Sequence, residues 1–273
     1  MTTPGELWLR EYHDRKPDSQ SVLIGAGRVA GDGRPSYGVF AERVGGERRV
    51  LDLGCGDGAL LAEFVKIGTT APAGIDLSAG ELELARRRPE LRTADLRQGR
   101  AQELPFGDSE FDAVVAHMTL MLMADLGAVV AEVARVLKPR GVFAAVVGGG
   151  GAIGASEVFS GLAKPMFDAV PEDRRFPDEG DHRTRTREGF DELLGPVGFE
   201  PVVWEQIVIE FDAPPEQVWA RCCETLYPVH TLDDAQLARL KAEFTEATRE
   251  LLTPSGILPA AVRLNLAKTR LAG

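Results

Sequence analysis

Val50–Gly58 reads VLDLGCGDG, an apolar run that ends at Asp52 and gives way to glycines at 54, 56 and 58. Helical spacing of apolar residues follows at once, through Ala59, Leu60, Leu61, Phe64 and Val65. The pattern predicts strand, tight turn, helix. Glycine is demanded where a backbone turns sharply and lies against a ligand, because no Cβ stands in the way. The N–H groups that open a helix lack an intrahelical partner and face whatever occupies the turn. The stretch therefore predicts the cofactor turn of a nucleotide-type site.

Glycine spacing alone leaves the ligand open, since Gly54, Gly56 and Ala59 also satisfy the dinucleotide fingerprint. Two carboxylates narrow it. Asp52 lies two residues before the first glycine, where its charge repels a pyrophosphate and suits an ammonium or sulfonium cation. Asp76 ends the next apolar run, 22 residues after Gly54, the spacing at which a carboxylate takes ribose hydroxyls. A ligand-free packing turn is the alternative, and acids at two strand ends argue against it.

Outward from this turn, strands are expected near 48–53, 72–76, 91–96, 111–117 and 141–147, with helices near 57–67, 79–87 and 124–137. Alternating strands and helices imply an α/β fold with a parallel sheet and helices on both faces. Leu126, Val129, Val130, Val133, Val136 and Leu137 make one helical stripe, which stops at Lys138-Pro139-Arg140-Gly141. Residues 1–47 are read as a helical lid segment, and 48–273 as the main domain with inserts at about 151–187 and 213–253 that form a cap. The lid carries Leu7, Trp8, Leu9 and Tyr12 in one helical piece, a Gly-rich segment, and a short helix near 39–44. Arg28 and Arg34 are loop arginines or partners for a cofactor carboxylate. Beyond 147, helices are expected at 152–170, 187–194, 214–228 and 232–252, the last with Thr231 and Asp234 as a capping box. Strands are expected near 201–211 and 260–270.

The 273 residues suffice for a full core. A net charge of −11 argues against a nucleic-acid partner, which needs a positive surface. No apolar run reaches the ~20 residues of a membrane span, and the charged start MTTPGELWLREYHDRK lacks a signal-peptide core. Cys55, Cys222 and Cys223 give neither a disulfide framework nor zinc spacing. A reducing cytoplasm is the expected compartment. Cys55 is read for its backbone in the turn, the adjacent pair as helix packing.

Four pieces in order, VLDLGCGDG (50–58), GIDLS (74–78), AQELPFGDSEFDAVV (101–115) and VARVLKPRGVFAAVV (133–147), resemble the class I S-adenosylmethionine-dependent methyltransferases, in their small-molecule, natural-product branch. The resemblance covers about residues 45–150. It implies a Rossmann-like seven-stranded sheet whose last strand is antiparallel, completed by the strands at 201–211 and 260–270. It also implies S-adenosyl-L-methionine as cofactor and S-adenosyl-L-homocysteine as product. In that light Asp52 resembles the acid that holds the methionine amine, and Gly54, Cys55 and Gly56 the turn against the methionyl and ribose portions. Asp76 resembles the ribose ligand, Leu77 the residue that packs on adenine, and Ala101 the backbone at the adenine edge. Arg100 stands where the family often has an acid; arginine cannot accept a hydrogen bond, so it stacks on the ring or points to solvent. Arg140 replaces a frequent glycine, far from the site.

The resemblance implies methyl transfer to an O or N atom of a small acceptor by in-line displacement at the sulfonium carbon, with positioning supplying much of the acceleration. An aliphatic hydroxyl needs a base; phenols, carboxylates and neutral amines need little help. His117, at the end of the fourth strand, is the first base candidate or a wall of the methionine pocket, and His13 in the lid is the second. His182 and His230 read as surface or cap residues. Trp8, Tyr12 and His13 are lid candidates for acceptor contact, and Phe159, Met166 and Phe167 suit an apolar acceptor or simply pack the inserts. No carboxylate set suggests a metal site. The abundance of arginine, alanine and glycine fits a bacterial tailoring enzyme of secondary metabolism, working as a monomer or homodimer. A non-catalytic cofactor-binding partner subunit and an NAD-dependent oxidoreductase are the alternatives.

Overall fold

The computed structural model describes residues 2–177 and 180–273. Its elements in chain order are α1 (Pro4–Arg15), α2 (Ser19–Gly25), β1 (Arg28–Val29), α3 (Ser36–Val44), β2 (Arg49–Leu53), α4 (Ala59–Lys66), β3 (Ala71–Asp76), α5 (Ala79–Arg87), β4 (Asp95–Gln98) and β5 (Phe111–His117). Then come α6 (Leu126–Val136), β6 (Leu137–Val147), β7 (Ala152–Gly154), α7 (Ala155–Asp168), α8 (Arg187–Leu194), β8 (Val203–Glu210), α9 (Pro215–Thr225), α10 (Asp234–Ala247) and β9 (Ala260–Arg270).

One sheet runs through the molecule in the order β1-β8-β9-β6-β5-β2-β3-β4. The strands from β6 to β4 are parallel. The last strand, β9, runs antiparallel to both β6 and β8. Seven strands follow the expected plan, and two short ones add to it. Two residues of β1 extend the outer edge on β8, and β7 pairs with the start of β9. Residues 152–154 thus leave the helix expected over 152–170, because pairing with Ala260–Val262 satisfies their backbone. The third strand begins at Asp95 rather than 91, since Pro89–Leu91 forms a 3-10 turn. The box that opens α10 is Asp233–Gln236, not Thr231–Asp234; Thr231 spends its hydroxyl on the Pro228 carbonyl.

Period-2 alternation sends neighbouring strand residues to opposite faces. Leu51, Leu53, Ile75, Val114 and Phe143 pack toward α6 and α8. Val50, Ala113, Val115, Val142 and Val146 pack toward α3 and α4. Helices α7, α9 and α10 enclose a separate apolar cluster of their own around Phe159, Val218, Leu240 and Phe244. Phe159 and Met166, candidates for acceptor contact, are used up in that packing. Among the described residues no helix is long and apolar enough to cross a membrane.

Candidate active site

Parallel pairing of β2 with β3 sets Asp52 opposite Gly74, so the carboxyl ends of both strands emerge at one edge. The turn after β2 is built on Gly54, whose φ is 67° and where a Cβ would stand 2.7 Å from Thr119 Cγ2. Thr119 is itself fixed, its hydroxyl donating to the Leu53 carbonyl at 2.8 Å. The Gly54 and Cys55 N–H groups donate to the Ile75 carbonyl at 2.8 and 3.1 Å. Asp76 accepts from the N–H of Gly56 and of Ser78, each at 2.8 Å. It therefore staples the turn to the start of α5. A carboxylate offers about four acceptor positions, so about two remain for a ligand.

Asp52 is 2% exposed, and its Oδ1 is buried with no partner. Burial first, then the charges of Asp76 and Asp57, push its carboxyl well above the ordinary range. On the neighbouring strand β5, His117 is 8% exposed and its Nδ1 is likewise buried without a partner. Burial pushes its imidazole down to about 3, so the ring is neutral at physiological pH. The ring lies edge-on to Tyr37 and Phe40, at centroid distances of 4.8 and 5.6 Å. Buried polar atoms are nearly always hydrogen-bonded, and two orphans on neighbouring strands mark a place meant for something else. An ammonium or other donor at Asp52 would relieve the larger of the two penalties. The residues present therefore fit a cofactor that carries a cationic amine.

Both orphans open on a cavity of about 930 Å³. It runs from the glycine turn, beneath α1, to α7 and α9. Asp52, Gly54, Cys55, Gly56, Asp76, Leu77, Arg100, Ala101 and His117 all line it, as does His13. Sequence reasoning thus gathered ten residues that the fold brings to one cavity. Trp8 and Tyr12 are placed differently. Trp8 stacks on Tyr12 and meets Phe176 and Tyr227 edge-on, while the Tyr12 hydroxyl donates to Glu224 at 2.7 Å. They tie α1 to the cap rather than line the space. Arg28 and Arg34 are also elsewhere, Arg34 being paired with Asp32 and Glu42 at the surface. His182 is exposed, and His230 sits against the Tyr12 ring. Cys222 lines the cavity from α9, its thiol pushed up to about 12 by burial.

Arg100 neither stacks nor turns to solvent. Its Nε and Nη2 donate to the two oxygens of Glu6 on α1, both at 2.9 Å, and Gln102 donates to Glu6 as well. Glu6 is 3% exposed, so the pair closes one end of α1 over the cavity. The other end is held by Asp14, which accepts from the Ser78 hydroxyl and the Gly80 N–H. Beside it the buried Glu81 accepts from His13 Nδ1 at 2.8 Å, which leaves His13 Nε2 to accept from the Tyr227 hydroxyl at 3.0 Å. Glu6, Tyr37, Glu81, Thr119 and Tyr227 were not singled out from the sequence. Glu6 and Glu81 carried a local signal, the Thr3-x-x-Glu6 and Ser78-x-x-Glu81 spacings that start α1 and α5.

Residues 51–145 match the family described as "Methyltransferase domain". That segment contains the glycine turn, both strand-end acids and His117. Over that segment the chain is similar to a methyltransferase domain. The chain is 38% identical over 99 residues to a fatty-acid O-methyltransferase of Mycolicibacterium smegmatis, covering 35% of each chain. It is 36% identical over 147 residues to a demethylmenaquinone methyltransferase of Symbiobacterium thermophilum, covering 50% of this chain and 58% of that one. The chain thus spans about a third to three-fifths of the curated relatives it matches. A solved geranyl diphosphate methyltransferase, in complex with geranyl diphosphate and sinefungin, shares the fold over 98% of this chain and 99% of its own, at 15% identity and a TM-score of 0.57. The matched methyltransferase domain leaves out α1 and the cap, which supply the remaining walls of the cavity.

Proposed function

We propose that this chain binds S-adenosylmethionine and transfers its methyl group to an O or N atom of a small, largely apolar molecule. The observation that carries the reading is the orphaned, buried Oδ1 of Asp52 beneath a glycine turn that no Cβ could share. Asp52 would take the methionine amine, the free acceptor positions of Asp76 the ribose hydroxyls, Leu77 and the Ala101 backbone the adenine. The cofactor would supply a methyl group already activated on a sulfonium. The chain's own residues bind, orient and exclude water, as cofactor enzymes do. His117, neutral because burial pushes it down to about 3, serves this reading as a donor or wall of the methionine pocket rather than as a base.

Residues 1–47 act as the lid and the inserts at about 151–187 and 213–253 as the cap. The lid reading rests on the three polar latches of α1, and the cap reading on Phe167, Phe211, Val218, Leu226, Val262 and Leu264 lining the far end of the cavity. Loops and inserts grafted on a common fold set specificity. The partial similarity to enzymes of fatty-acid and menaquinone methylation supports a lipid-like acceptor and, with the arginine-rich composition, a role in bacterial secondary metabolism in the cytoplasm as a monomer or homodimer. Calorimetry tests the core of the reading. S-adenosylhomocysteine should bind with one site per chain and NAD should give no heat; the reverse result would sink it. Binding of the cofactor product with no transfer to any hydroxyl, carboxyl or amine acceptor would favour a partner subunit instead.

A further inference from the structure

The cavity is electrically two-ended. Its cofactor end holds Asp52, Asp76 and Glu81, none of them paired with arginine or lysine. At the cap end the carboxylates on the lining are already matched: Asp168 with Lys164 at 2.9 Å and Asp181 with Arg183 at 2.6 Å. Three arginines share that end, and none makes an ion pair among the described residues. Half-buried Arg221 donates one bond, to the Phe211 carbonyl at 2.9 Å, with its guanidinium 5.6 Å from the Phe211 ring centroid. Exposed Arg175 donates to the carbonyls of Val170 and Asp168. Arg185, also exposed, lines the cavity, and its side chain makes no hydrogen bond among the described residues.

We propose that the cap end is an anion subsite, in which Arg221, with Arg175 and Arg185 at the mouth, holds the carboxylate or phosphate of an amphiphilic acceptor. The inference rests on the reading of this cavity as an acceptor site. Guanidinium carries five donors in a planar fork, and Arg221 has spent one. Such forks match carboxylate and phosphate oxygens bidentately, and the cations on this lining are all arginine, not lysine. The apolar body of the acceptor would lie on Phe211, Val262 and Leu264, with the anion fixed at one end. The whole chain carries a net charge of −11 and repels anions at long range. Local positive groups are what an anionic acceptor would need to enter, and they stand at the end where the acids are already paired.

The test uses the full chain loaded with S-adenosylhomocysteine and four probes of one chain length: octanoate, octyl phosphate, 1-octanol and octyltrimethylammonium. Calorimetry should find at least one anion bound about tenfold or more tighter than octanol, with the ammonium weakest. Which anion wins tells carboxylate from phosphate. Arg221→Met should abolish the preference while S-adenosylhomocysteine affinity stays within about twofold. The Arg175→Gln/Arg185→Gln double variant changes only exposed side chains; it should reduce the preference even where Arg221→Met does not fold. Octanol binding as tightly as both anions, no binding of either anion, or a preference intact in the variants would overturn the subsite. A wild-type chain that does not bind S-adenosylhomocysteine overturns the cofactor reading instead.

Discussion

Asp52 and His117 sit on adjacent strands, both buried and both short of a partner, yet they pull stability in opposite directions with pH. Asp52 has a folded-state carboxyl raised above its unfolded value, so the native state holds a proton that the unfolded chain has lost, and stability falls as pH rises through that window. Asp52→Asn should therefore raise the melting temperature of the free protein at neutral pH. The same change should weaken S-adenosylhomocysteine by about 1.5–3 kcal/mol, the worth of a hydrogen bond to a charged group. Calorimetry and a melting curve on one sample check both; a variant that binds normally would return Asp52 to a packing role. His117 has a folded value of about 3 against an unfolded value of about 6.5, so between these the unfolded state binds the extra proton and stability falls as pH drops. His117→Gln should gain on the parent by about 1.4 kcal/mol per pH unit across that window, read from urea midpoints. Asp52 and Asp76 beside the glycine turn were legible in the sequence because strand ends are legible. The partners of Arg100 and His13 were not: Glu6 lies 94 positions from Arg100, and Glu81 lies 68 from His13. No local pattern connects residues so far apart.

Among elements, α1 is a surface helix held by charge as well as by apolar contact. Arg100→Met would leave the buried Glu6 carboxylate its bonds from Gln102 and the Thr3 N–H but no cation, and loss of the partner of a buried pair costs about 3–5 kcal/mol. Amide exchange across Pro4–Arg15 should accelerate sharply, and the double change Glu6→Met/Arg100→Met should recover most of the protection, because two apolar side chains ask for no partner. Equal exchange in the single and double variants would show that the aromatic contacts of Trp8 and Tyr12 hold the helix instead. The expected bounds of α8 and β9 match the structure to the residue, Gly195-Pro196 following α8 at once. The elements missed were those that tertiary pairing creates. β1 is two residues long and exists only because β8 lies beside it, and α2 falls in a glycine-bearing stretch with no stripe.

On the scale of the whole molecule, three stretches remote in sequence close one cavity on the carboxyl edge of a sheet whose parallel part the βα alternation foretold. The sheet was legible because parallel strands with right-handed crossovers allow few arrangements. The cavity's far wall was not, since an apolar residue in an insert reads the same whether it lines a pocket or packs against a neighbour, as Phe167 and Phe159 show. A ligand that bridges the domain and its inserts should stabilise all of them together. At about 100 times its dissociation constant, S-adenosylhomocysteine should add about 2.7 kcal/mol and raise the melting temperature by about 5–10 °C, in a single transition. Two transitions, with only the first one moving, would show that the cap melts on its own.

The central place of β9 carries a consequence for how the molecule is made. Ala260–Arg270 fills the gap between β6 and β8, bonding to both along most of its length. A ribosome delivers it after every other strand. Until then the apolar β6, buried over Gly141–Val147 in the finished protein, stands as an open edge, and β8 has no route into the sheet. Unpaired edges of this kind recruit other chains. The nascent polypeptide is thus at its most adhesive between the emergence of β6 and that of β9, whose arrival closes the open edge.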